Sequence, residues 1–195
     1  MKKICVCMWY DDNIIEYAHL FKQHNQSYCD RNNYTLIHSN KLYTDKPQSY
    51  NKLFMIKELL EKGEYDYYVW IDADAHFVDG YILDNYIIEN KDFVFSADIT
   101  NNINCGVFIV KNSDFSKQFI DKWINSYESI NENWWEQGVL GVLWNCNILN
   151  IKDHSYVYFY GGLQHFKYNS SQLVYHMAGT TAFERTAYIR NFLIN

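Results

Sequence analysis

Asp72 and Asp74, one residue apart at the end of the aromatic and β-branched run Tyr67 to Ile71, are the residues whose type and spacing most directly suggest chemistry. At a strand end that stays extended or begins to turn, both carboxylates can face one side of the sheet rim. Such a pair suits a hard divalent cation. Mg2+ or Mn2+ takes oxygen ligands and, held by few protein groups, leaves coordination positions for diphosphate oxygens. As a Lewis acid it stabilises negative charge that builds on a departing diphosphate. Two solvated carboxylates closing a strand or capping a helix are the plainer alternative, because so short a motif carries little specificity by itself. Tyr10, Asp11 and Asp12 follow another apolar run, Ile4 to Trp9. From that location an aromatic can stack on a nucleotide base and a carboxylate can accept from ribose hydroxyls.

These groups need a rigid frame, and the spacing of apolar residues predicts one. Ile4 to Trp9 reads as a buried parallel strand. Ile14 to Asp30 keeps helical spacing through Tyr17, Ala18, Phe21 and Tyr28, and Tyr34 to His38 is again β-rich, so the chain opens with a βαβ unit. Pro47 marks a loop, and Ser49 to Lys62 predicts a helix stopped by Gly63. After Tyr67 to Ile71 come strands at Phe93 to Ala97 and Gly106 to Val110, an amphipathic helix at Ser113 to Tyr127 and a helix at Trp134 to Trp144. Ile148 to Ile151 and Tyr156 to Phe159 predict late strands, Gly161-Gly162 a loop, and Leu173 to Gly179 a return to the core. Alternating strands and helices predict one α/β/α sandwich with a mostly parallel central sheet. Ligands sit outside the carboxyl ends of such strands, where Tyr10 to Asp12 and Asp72 to Asp74 fall.

Bulk properties narrow the choice. A chain of 195 residues, 48% hydrophobic, provides one core and predicts a single domain over 1–195. Net charge is -6 and no Lys/Arg cluster could neutralise a run of phosphates, so nucleic acid is not an expected partner. The five cysteines are odd in number and scattered, which excludes paired zinc spacing and fits a reducing compartment. Met1 to Tyr10 leads directly into a strand without a span-length apolar segment, so the expected location is cytoplasmic. Abundant Asn, Ile, Lys and Tyr with a single proline suggest an AT-rich source such as a virus, protist or bacterium, and hence the cytoplasm of a host cell if viral.

Four further segments, in order with the acidic pair, resemble GT-A fold glycosyltransferases. The likeness is greatest to glycosyltransferase family 34, which includes fungal α-galactosyl- and α-mannosyltransferases and plant xyloglucan xylosyltransferases. Ser49-Tyr50-Asn51-Lys52 is similar to an aromatic-x-Lys element upstream of the acidic strand. Asn104-Cys105-Gly106-Val107-Phe108 resembles an Asn-x-Gly-x-Phe strand, Trp135-Glu136-Gln137 an acidic-Gln helix start, and His176-Met177-Ala178-Gly179 a terminal His-x-x-Gly. The resemblance runs from about Ile4 to Gly179. Against the usually membrane-anchored and longer eukaryotic members, the expectation here is a shorter catalytic domain without an anchor, and Arg185 stands in the region where relatives often carry a basic residue.

The resemblance implies that Asp74 binds Mn2+ or Mg2+ directly, that Asp72 binds the ion or the ribose, and that His176 completes the shell as a neutral imidazole. On periodicity alone His176 reads as a satisfied core histidine. Lys52 would contact the diphosphate or hold an active-site carboxylate, the alternative being a solvated lysine at a helix start. Asn104 and Gly106 would line the sugar pocket, although Asn104 also suits a turn cap. Gln137 would lie near the anomeric centre, with Glu136 binding hydroxyls or buffering positive charge; both are also ordinary helix-start residues. Trp134, Trp135, Tyr160 and Tyr168 are aromatics suited to stack on an acceptor sugar or to fill the core.

The implied reaction moves a hexose or pentose from a nucleotide-sugar, UDP before GDP, to a glycan or other hydroxyl acceptor. Configuration would be retained, through front-face exchange or double displacement. A nucleotidyltransferase would want a Gly-rich phosphate loop, and Cys5 to Asp12 contains no glycine. A carbohydrate- or nucleotide-binding module on a degenerate fold of this kind is the non-enzyme alternative. The oligomeric state is not legible.

Overall fold

Period-two alternation along the strands sorts side chains into two layers, and this sorting builds the molecule. In β1 (Ile4–Trp9), Cys5 and Cys7 enter one hydrophobic cluster while Ile4, Val6 and Met8 enter the other. The structure is a computed structural model describing residues 2–130, 135–159, 162–166 and 172–192; Trp134, Tyr160, Gly161 and Tyr168 lie outside the described residues. Helix α1 (Ile15–Asn32) follows a short 3-10 turn, and β2 (Thr35–Ser39) completes the βαβ opening. Helix α2 (Asn51–Lys62) ends at Gly63, whose left-handed φ of 67° a glycine adopts without steric penalty. Strand β3 (Tyr67–Ile71) has the bounds expected from its sequence.

The chain then forms β4 (Ala75–Phe77), β5 (Phe93–Ala97), β6 (Ile103–Lys111), α3 (Asp114–Asn125) and α4 (Trp135–Asn145). It continues through α5 (Ile151–His154), β7 (Ser155–Tyr158), β8 (Gln164–His165), β9 (Val174–His176) and α6 (Ala182–Phe192). The main sheet has the order β2-β1-β3-β6-β5-β7, and β4-β9-β8 form a small second sheet. Only β6 in the main sheet opposes its neighbours, with antiparallel pairing to β3 and β5. The mostly parallel sandwich predicted from the sequence is what forms.

One layer covers the sheet with α2, α3 and α4 around Phe93, Phe95, Phe108 and Trp123, all fully buried. Burial of each such side chain contributes about 1.5–3 kcal/mol. The other layer packs Val69, Ile71, Val107 and Ile109 against β4, β9 and the Tyr28 side of α1.

Three sequence expectations change. Ile148 to Ile151 is not a strand: a 3-10 turn at 148–150 leads into α5, with Asn147, Leu149 and Asn150 at φ 50°, 55° and 56°. Those left-handed residues cannot extend into a strand, and a four-residue apolar run carries no period that separates the two states. β6 starts three residues earlier than expected, because buried Asn104 interrupts the apolar pattern of a strand that is paired on both sides. α4 includes Asn145, and its predicted first residue, Trp134, lies outside the described residues.

A titratable group is locked into this fold beside the acidic turn. His76 on β4 is buried, with Nδ1 at 2.8 Å from the Phe77 carbonyl and Nε2 at 3.1 Å from the Tyr188 hydroxyl. Burial lowers its pKa from 6.5 to about 4, against an opposing contribution from the Phe77 carbonyl. Between those values the unfolded chain binds a proton that the folded chain excludes, so stability falls as pH drops from 6.5 towards 4. The full effect is about 3 kcal/mol, and urea unfolding across that range will detect it. His76→Asn will flatten this part of the profile; an unchanged slope in the variant would exclude His76 as its origin.

Candidate active site

Strands β1 and β3 are adjacent and parallel, so their carboxyl ends open onto the same rim. The alternation that puts Tyr68 and Trp70 in the α2 layer carries Asp72 to the same side. There Lys52, on α2 and only 5% exposed, lies 3.0 Å from Asp72 Oδ1 and 3.0 Å from Glu136 Oε1 on α4. Its Nζ also donates to the Cys105 carbonyl at 3.3 Å. Burial alone would lower the Lys52 pKa, but the charges of Asp72 and Glu136 and the nearby Cys105 raise it well above the ordinary lysine value. Its charged contacts in the structure are to two carboxylates, those of Asp72 and Glu136. The Trp70 indole donates to the same Asp72 oxygen at 2.6 Å, which fixes that carboxylate from a second direction.

Asp74 is delivered by a turn and a short ladder. The Ala75 N–H donates to the Asp72 carbonyl, and β4 pairs antiparallel with β9 so that Ala75 opposes His176. On its other edge β4 is held by the fully buried Asn25 of α1, which donates to the Ala75 carbonyl and accepts from the Phe77 N–H, each at 3.0 Å. Asn25 therefore satisfies backbone groups that would otherwise be stranded in the core. Asp74 meets His176 Nε2 at 3.1 Å and Arg185 of α6 at 2.7 Å. Burial pushes its carboxyl upward, but His176 and Arg185 outweigh it and bring the pKa down to about 2.

Asp72, Asp74 and His176 each present a ligand atom, all within 4.8 Å of one another. Two carboxylate oxygens and an imidazole nitrogen form a donor set that fits Mn2+ or Mg2+. A hydrogen-bond chain selects the histidine nitrogen turned to this centre. Asn104 Oδ1 accepts from the Gly106 N–H and from Gln164 Nε2, at 2.8 and 2.6 Å. The Gln164 carbonyl oxygen then accepts from His176 Nδ1, 2.9 Å away, which turns Nε2 towards the carboxylates. Burial lowers the histidine pKa, but Asp74 outweighs it and raises it, and a bound ion would take the place of the Nε2 proton. Gly106 has a steric reason here: a Cβ at that position would fall 2.3 Å from His176 Cε1. Its role is close packing under the histidine.

Asn104 Nδ2 donates to Gln137 Oε1 at 2.8 Å, linking the same chain to the start of α4. The fully buried Trp123 indole donates to the Glu136 carbonyl at 2.7 Å and anchors that helix start. Lys52, Asp72, Asp74, Glu136, Gln137 and His176 thus line one cavity of about 450 Å3, joined by Asn104 and Gly106. Trp135 also lines it, at 58% exposure.

Tyr10 and Asp11 are placed differently from the rest. Tyr10 is buried beside the ring of His38 at 4.0 Å, and Asp11 caps the 3-10 turn through Asn13 while accepting from Gln48 Nε2 at 2.6 Å. Neither lines the cavity, whereas Trp9, Tyr17 and Gln48 do. Sequence reasoning did not single out Asn25, Gln48, Trp70 or Gln164. Each is an ordinary polar or aromatic residue whose role exists only through a tertiary contact.

No family profile matches the chain. It is 25% identical to a galactomannan galactosyltransferase from Cyamopsis tetragonoloba over 116 residues, covering 54% of this chain and 27% of that protein. The matched region is thus about a quarter of the relative's length. Among solved structures, a glycosyltransferase involved in glycosylation of the major capsid of PBCV-1 superposes with a TM-score of 0.79 at 16% identity, over 97% of this chain and 99% of that one. The galactosyltransferase LgtC, solved with donor and acceptor sugar analogues, superposes with a TM-score of 0.56 at 13% identity, over 97% and 96%. GlyE of Streptococcus pneumoniae gives 0.57 at 15% identity, over 81% and 45%. The chain has the GT-A glycosyltransferase fold, as its motifs implied. Among the described residues, no helix is long and apolar enough to cross a membrane.

Proposed function

We propose that this chain is a metal-dependent glycosyltransferase that moves a sugar from a nucleoside-diphosphate donor, UDP-linked before GDP-linked, to a hydroxyl of a carbohydrate acceptor. The observation that carries this reading is the convergence of Asp72, Asp74 and His176 within 4.8 Å in the cleft at the strand ends. A divalent ion held by these three residues supplies charge neutralisation of the diphosphate. The likeness to glycosyltransferases of the same fold supports the reading.

The residues around that centre divide the remaining work. Lys52 fixes the Asp72 and Glu136 carboxylates at 3.0 Å each. With its carbonyl oxygen engaged by Asn104, Gln137 offers its NH2 to a sugar hydroxyl or to the leaving oxygen. Glu136 retains one buried carboxylate oxygen, Oε2, with no protein partner among the described residues, which suits a donor-sugar hydroxyl. Pairing with Lys52 makes Glu136 a poor nucleophile, which favours front-face exchange with retention. In that step the acceptor oxygen bonds to the anomeric carbon, the anomeric C–O bond to phosphate breaks, and the departing phosphate oxygen takes the acceptor proton.

Thermal unfolding with Mn2+, UDP, GDP and each metal–nucleotide pair tests the donor site. A nucleotide present at about a hundred times its Kd stabilises the protein by roughly 2.7 kcal/mol. The expected result is a shift with UDP and Mn2+ together that Asp74→Ala abolishes. Folded wild type that responds to no combination would sink the donor-site reading.

A further inference from the structure

A second cavity, of about 500 Å3, lies beside the first and shares Gln137 with it. One wall is the face of α4 that carries Gly138, Gly141, Trp144 and Asn145; the other is the loop from Asp98 to Ile103 that joins β5 to β6. None of the residues assigned above except Gln137 belongs to it.

We propose that this groove binds the acceptor as a carbohydrate, laying a sugar ring along α4 with one hydroxyl turned towards Gln137. The inference rests on the transferase reading for the word acceptor, and on the groove itself for the sugar. Its polar lining is dominated by neutral amides and a hydroxyl, from Thr100, Asn101, Asn102, Asn145 and Gln137. Such groups donate and accept at once, which is what a polyhydroxyl ligand requires. Among the described residues no lysine or arginine lines it, so a phosphate-bearing ligand is poorly matched. Asp98 is committed to the loop through one oxygen, since its Oδ1 accepts from the Thr100 N–H, the Thr100 hydroxyl and the Asn102 N–H at 2.6–3.0 Å. That network also fixes the loop wall in position.

Helix α4 contributes an indole and a bare floor. Trp144 offers the apolar face against which sugar C–H groups pack. Gly138 and Gly141 lie within the helix, where glycine is disfavoured, and a Cβ at Gly141 would meet nothing within 4 Å. Internal packing therefore does not explain glycine at 141, whereas close approach of a ligand does. Gln137, at the head of the same face, lies between this groove and the residues that converge on the donor side.

The test uses the intact chain with Mg2+ and UDP present, and saturation-transfer NMR with lactose, maltose and cellobiose as probes at millimolar concentration. Wild type is expected to transfer saturation to at least one of them. Gly141→Leu puts a side chain into the groove from a position whose Cβ meets no atom within 4 Å, and Trp144→Leu removes the indole; each is expected to weaken that contact about tenfold. Melting temperatures report that both variants remain folded, and the shift given by UDP and Mg2+ reports the donor site separately. Loss of that shift in wild type counts against the donor reading alone. The groove proposal is overturned if folded wild type contacts none of the three sugars, or if the contact survives both substitutions.

Discussion

Asp74→Asn will lower metal-dependent release of nucleoside diphosphate from a nucleotide-sugar by about a thousandfold, corresponding to several kcal/mol of lost transition-state stabilisation. The substitution preserves shape and removes charge. Its effect is expected to be large because Asp74 is the residue on which the centre closes: His176 Nε2 lies at 3.1 Å and Arg185 at 2.7 Å, on opposite oxygens of one carboxylate. With a pKa near 2 the wild-type group is ionised at neutral pH, so the neutral amide removes a full negative charge. The measurement is diphosphate release from a panel of UDP- and GDP-sugars with and without Mn2+. A variant that keeps a tenth of the wild-type rate together with its metal dependence would remove Asp74 from the site.

Lys52→Met will destabilise the protein by about 3–5 kcal/mol, because it leaves Glu136 buried and uncompensated between α2 and α4. For a domain of this size that loss lowers the melting temperature by about 10 °C. The charge left behind, more than the lost pair, produces the effect. Lys52→Met combined with Glu136→Gln is therefore expected to recover much of the stability while remaining inactive, and urea unfolding of the two singles and the double measures the coupling. Equal instability in the double and in Lys52→Met would mean that packing of the lysine stem, and not Glu136, dominates.

Sequence patterning reached the main sheet because its strands are long enough to show a period. The bounds of β1, β3 and β5 were legible, and so was the meeting of Asp72 with the end of β1. Strands of two or three residues carry no period, so β4, β8 and β9 were not predicted as a sheet, although they hold the site together. Helix α6 was missed because its apolar residues form no clear stripe. Tyr10 falls outside the cavity for a simpler reason. Successive side chains along an extended chain face opposite ways, so an assignment based on the strand end chose Tyr10, while its neighbour Trp9 lines the cleft. Lys52, Asn104, Gly106, Glu136, Gln137 and His176 were singled out through ordered resemblance, since neither spacing nor charge connects residues up to 124 positions apart.

The three-residue ladder between β4 and β9 has a bearing on synthesis. It joins segments separated by about a hundred residues, and the main sheet contains neither of them. A ribosome therefore exposes the whole six-stranded sheet before His176 emerges, and Arg185 follows later still. A nascent chain can hold a nearly complete scaffold while the proposed metal site still lacks His176. On the proposed reading, the cleft is completed late in translation, after most of the folding that makes the scaffold has become possible.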